Sequence, residues 1–128
     1  MPTASTFTNT RSIALDGIDD FVSVPNSTSL QITGALSISF WIYGETNSSF
    51  TGIITKFVGS GSVVSGSQYH IEYFSSNQLR FIVTGCDLRS GTETTGTIPS
   101  VTVGVWQHFV MTWNGTNTMT VYLSLIHI

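Results

Sequence analysis

Two-residue hydrophobic alternation restricts this chain more than any other feature. It recurs along most of the length and is broken by reversals rich in glycine and small polar residues. "SISFWIY" puts Ile38, Phe40 and Ile42 on one side and Ser39, Trp41 and Tyr43 on the other. "YHIEYF" sets Tyr69, Ile71 and Tyr73 against His70, Glu72 and Phe74, and "LRFIV" sets Leu79, Phe81 and Val83 against Arg80 and Ile82. "QHFVMTW" aligns Phe109, Met111 and Trp113 against His108, Val110 and Thr112. Successive strand side chains point to opposite faces, so each run predicts a half-buried strand with one face inward. The breaks, among them "DGIDD", "PNSTS", "GSGSVVSGS" and "NGTN", are turn formers. Asn114-Gly115 signals a hairpin because both residue types tolerate positive φ, and "FSSNQLRF" predicts a second tight hairpin. Eight or nine strands, short turns and no helical period predict an all-β fold, an antiparallel β-sandwich.

Composition narrows the setting. A chain of 128 residues has room for one domain and one core. Charged residues make up 9% of it, against roughly a quarter in ordinary soluble domains, and Ser and Thr supply the polarity instead. That balance fits extracellular, cell-surface or virion modules, and 41% hydrophobic content is ample for a core. The four basic residues, Arg11, Lys56, Arg80 and Arg89, are scattered in a chain of net charge −3, so no nucleic acid partner is expected. No apolar run reaches the roughly 20 residues of a membrane-spanning helix, so membrane insertion is not expected. The opening "MPTASTFTNTRS" has neither the basic nor the apolar region of a secretory signal. Release by lysis, a place in a phage particle, or a start further upstream would each reconcile that opening with a surface location. Cys86 is the single cysteine, which leaves no internal disulfide.

The most specific stretch is "SIALDGIDDFVSVPNSTSLQITGALSISFWIY". With Asp16-Gly17, Asp19-Asp20-Phe21-Val22, Pro25, Ser29-Leu30 and Ile38 to Trp41, it resembles the opening of laminin-G-like, concanavalin A-like jelly-roll domains. "GIITKF" resembles the family's next strand, and "VGVWQHFVMTWNGTNTMTVYL" its late signature. Order and spacing agree from about Ser12 to Tyr122. The resemblance implies a strand on either side of Asp16-Gly17, with Phe21, Val22 and Val24 gripping the core. Trp41, Trp106 and Trp113 are expected as core or near-core anchors, with sugar stacking as the alternative for each. It also implies further strands after the Val-Tyr strand, one of which pairs beside the first strands of the chain. Here the text runs instead into "LSLIHI", which matches a translated transposase-end adaptor. The expected organisation is therefore an N-terminal extension over 1–11, a jelly-roll domain incomplete at its C-terminus over 12–122, and a non-native tail over 123–128, the alternative for the tail being a natural apolar strand. Such a chain is expected to be aggregation-prone.

Retaining glycosidases need two carboxylates about 5–5.5 Å apart, and in glucanase relatives these come from a Glu-x-Asp-x-(x)-Glu strand. Glu72 has no acidic partner two or four residues on, and Asp87 and Glu93 lie in turn-rich text, so no enzyme activity is expected. Asp16, Asp19 and Asp20 offer three oxygen donors of the kind Ca²⁺ prefers, and calcium sites occur in relatives of this resemblance. The alternative is turn chemistry, with each Asp capping its own backbone. His70, Glu72 and Arg80 share one sheet face and, with Tyr43 for stacking, could bind a glycan; a solvated polar face explains them as well. The expected role is a non-catalytic recognition module, part of a larger multidomain protein, binding a glycan or surface protein. A spacer module, or the remnant of a glycoside hydrolase, are the rival readings.

Overall fold

The structure, a computed structural model, describes residues 11–45, 51–57, 67–75, 77–83, 86–88 and 100–124. Among them run seven strands: β1 (Leu36–Tyr43), β2 (Thr51–Phe57), β3 (Ser67–Ser75), β4 (Gln78–Val83), β5 (Cys86–Leu88), β6 (Trp106–Trp113) and β7 (Met119–Ser124). A single 3₁₀ turn, Thr28–Leu30, precedes them. The strands form a three-stranded sheet in the order β1-β6-β7 and a four-stranded sheet in the order β2-β3-β4-β5. Every ladder between these strands is antiparallel. One hydrophobic cluster takes Phe109, Met111 and Trp113 from the first sheet and Ile71, Phe81 and Val83 from the second, which makes the pair a sandwich. Phe40 lies opposite Phe109 in the ladder, with ring centroids 5.8 Å apart and planes 18° from parallel.

Alternation reads β1 and β6 correctly. Along β6, Phe109, Met111 and Trp113 are buried while His108, Val110 and Thr112 are half-buried between them. Both expected hairpins form. Ser75 pairs with Gln78 across a tight β3–β4 turn in which Asn77 takes φ 68°. Trp113 pairs with Met119 across the β6–β7 loop. There Gly115 supplies the positive φ of 86°, and Asn114 contributes its side chain instead: Oδ1 accepts the backbone N–H groups of Thr116, Asn117 and Thr118 at 2.9 to 3.0 Å.

Four expectations are corrected. First, 11–27 contains no strand. The turn survives, with Gly17 at φ 74° and Asp16 Oδ1 accepting the N–H of Ile18 at 2.9 Å. Ile13, Leu15, Ile18, Phe21, Val22 and Val24 are all exposed, because a strand needs a neighbouring ladder and none among the described residues pairs with this segment. Second, β3 and β4 are not half-buried: His70, Glu72, Arg80 and Ile82 on their second face are as inaccessible as the core. Third, of the three tryptophans Trp113 alone is a core residue; Trp41 and Trp106 stand outward. Fourth, Asp87 belongs to strand β5 rather than to a turn. The expected tail boundary falls inside β7, where Leu123 pairs with Phe109 and packs against the core. Residues 1–10 and 125–128, Arg89 and Glu93 lie outside the described residues.

Candidate functional site: an aromatic sheet face

The parity that turns Ile38, Phe40 and Ile42 inward turns Ser39, Trp41 and Tyr43 outward on the three-stranded sheet. Ladder register then decides what they meet. Trp41 lies opposite His108 and Tyr43 opposite Trp106, so two ring pairs sit side by side on one face. The Trp41 and His108 rings stack with centroids 4.9 Å apart and planes 26° from parallel; Tyr43 and Trp106 are tilted by 49° at 5.6 Å. Tyr122, opposite Val110 on β7, adds a further ring to the same face. Trp41, Tyr43, Trp106 and Tyr122 leave 42%, 43%, 37% and 56% of their surface in solvent. Isolated exposed apolar residues are ordinary, but clustered aromatic ones mark interaction surfaces.

The face is held in place from within the sheet. Ser39 Oγ and His108 Nε2 are 2.7 Å apart, which fixes the imidazole against the Trp41 indole. At the other end, the segment before β6 is anchored beside β1. Val101 is buried, Gln107 Oε1 accepts the Thr102 N–H, and the Gly104 N–H donates to Gly44 O at 2.8 Å. Gly104 takes the positive φ of 76° that this turn requires, beside the Tyr43 hydroxyl. The loop therefore delivers Trp106 to Tyr43. Ser39 and His108 have the spacing of a nucleophile and its base, but no carboxylate among the described contacts orients the imidazole.

The residues singled out from sequence separate into three places. Tyr43 is part of the aromatic face. His70, Glu72 and Arg80 lie on the other sheet and are each 4% exposed, so neither a glycan-binding nor a solvated face describes them. They form a polar row with Thr55. Thr55 Oγ1 is 2.9 Å from His70 Nδ1, His70 Nε2 is 3.1 Å from Glu72 Oε2 without hydrogen-bond alignment, and Arg80 donates to Glu72 Oε1 at 3.0 Å. The Arg80 guanidinium also lies 5.5 Å from the Phe74 ring centre. Gly52 makes room for this row, since a β-carbon there would lie 3.0 Å from Thr55 Oγ1. Charge buried this way is stable only when paired, and it is paired.

Asp16, Asp19 and Asp20 do converge, with carboxylate oxygens within 4.8 Å of one another, all three residues exposed. Two of them already serve the turn: Asp16 Oδ1 accepts the Ile18 N–H, and Asp20 Oδ2 accepts the Asp16 N–H at 3.2 Å. These two contacts hold the loop as a turn capped by its own aspartates.

Sequence reasoning favoured packing over sugar stacking for Trp41 and Trp106, did not join His108 to them, and gave Tyr122 no site role. The signal was present in their parity: each stands out of phase with the apolar residues of its own strand.

A family model for the concanavalin A-like lectin/glucanases superfamily matches residues 16–124. No curated protein and no solved structure matches the chain.

Proposed function

The chain belongs to the concanavalin A-like lectin/glucanase superfamily, and on that premise we propose that it is a non-catalytic recognition module which binds a glycan through the outer face of β1 and β6, at a cell or virion surface. The observation that carries this reading is the pair of adjacent ring contacts, Trp41 with His108 and Tyr43 with Trp106, on an accessible and internally braced sheet face. Aromatic rings offer large apolar area at low entropic cost, and a sugar presents C–H-lined faces that stack on them. The non-catalytic part is supported by Glu72, which is buried and engaged by Arg80 rather than aimed at a cleft.

Screening the protein against a glycan array, followed by calorimetric titration of the best ligand, tests this. Trp41→Ala and Trp106→Ala should each weaken binding by about 2 kcal/mol, roughly thirty-fold, with the far-UV dichroism unchanged. Binding that survives both substitutions would place recognition elsewhere. A second reading, a structural module seated in a larger surface protein, is favoured by the exposed apolar side chains between Ile13 and Val24. It predicts no glycan ligand at all.

A further inference from the structure

We infer that the ligand of this face is a neutral saccharide at least two pyranose rings long, lying across β1 and β6; the inference rests on the sheet-face reading above. Charge is the first ground. Among the described residues, no outward position on β1, β6 or β7 is Asp, Glu, Lys or Arg. Lys56 and Arg80 belong to strands of the other sheet, and Lys56 bonds to Asn26. A sulfated or uronic glycan would therefore meet no lysine or arginine on these strands, and Glu45, just beyond the end of β1, would repel it.

Spacing is the second ground. Trp41 and Tyr43 are two residues apart on one strand, so their pairs repeat at roughly 6.6–6.8 Å along it. Two stacking positions in line suit two consecutive sugar rings. The Tyr122 hydroxyl stands on the same face, and the Ser39 and Thr112 hydroxyls, engaged with His108 Nε2 at 2.7 Å and Thr120 O at 3.5 Å, keep lone pairs that accept from sugar hydroxyls. Bracing is the third ground: the Ser39–His108 contact orients the stacked pair before any ligand arrives, which favours a rigid ring system.

The test uses the full chain on an array holding neutral oligosaccharides and their sulfated, sialylated and uronic counterparts, with the best ligand titrated at low and high salt. Neutral hits of two or more residues are expected, with affinity insensitive to salt and lost roughly thirty-fold in Trp106→Ala. Trp106→Phe, which keeps a ring, should lose less, and so separates loss of stacking from loss of fold. Anionic hits that weaken with salt and require Trp106 would overturn the neutral assignment and leave the sheet-face reading standing. Hits unaffected by Trp41→Ala and Trp106→Ala, or no hits in either class, would overturn both.

Discussion

Tyr73 shows how a single side chain can satisfy the pattern and still be under stress. Its ring belongs to the core, yet its hydroxyl has no hydrogen-bond partner among the described residues, and the same is true of Trp113 Nε1. Burial pushes the Tyr73 phenol above its ordinary value, since the charged form is the one that loses solvation. The sign follows from linkage. Below about pH 10 both folded and unfolded chains hold the proton and stability is complete; as pH rises further the unfolded chain releases it first, and stability falls until the folded value is passed. Tyr73→Phe should leave urea stability at neutral pH unchanged or raise it by up to about 1 kcal/mol, because it removes an unpaired buried hydroxyl. It should also flatten the alkaline loss relative to the parent protein. A clear drop in the neutral midpoint would show that the hydroxyl is satisfied. Inward parity at Tyr73 was legible from "YHIEYF"; the fate of its oxygen was not, because alternation reports a face and not what a polar atom meets there.

At the level of elements, the β6–β7 hairpin rests on one glycine. Gly115 combines φ 86° with an approach that would put a β-carbon 2.8 Å from Ala35 N. Gly115→Ala should therefore destabilise by more than about 1 kcal/mol, read as a lower denaturant midpoint with an unchanged slope. A neutral result would mean that the segment at Gly34 and Ala35 yields freely. The sequence located this hairpin but assigned Asn114 the wrong task, since its side-chain oxygen, not its backbone angle, organises the loop. A comparable limit explains β3. The letters of His70, Glu72 and Arg80 look the same whether the face is solvated or buried and paired, and only register and burial separate the two. Size misled in the opposite direction at Trp41 and Trp106, where large rings suggested anchors while parity placed them outside.

For the whole molecule, the all-β sandwich and its family were readable because order and spacing of several short motifs agree over most of the chain, and the match over residues 16–124 bears this out. The apolar stretch from Ile13 to Val24 was expected to form strands and instead stands in solvent, with Ile18 and Phe21 at 86% and 80% exposure. Unpaired extended backbone beside apolar side chains invites association between copies. Light scattering coupled to size exclusion should show concentration-dependent oligomers of this chain, and Phe21→Asp with Val24→Asp should shift them towards monomer. A parent protein that stays monomeric at high concentration would count against this. The polar row across β2, β3 and β4 bears on another whole-molecule question, how the strands find their alignment. Inside-outside patterning repeats every two residues, so sliding one strand by two would preserve every face. Slid that way, Glu72 would lie opposite Ile82 and Arg80 opposite Phe74, stranding a carboxylate against hydrocarbon. The salt-bridged row thus works as a vernier, rejecting the misaligned sheets that hydrophobic patterning alone would accept.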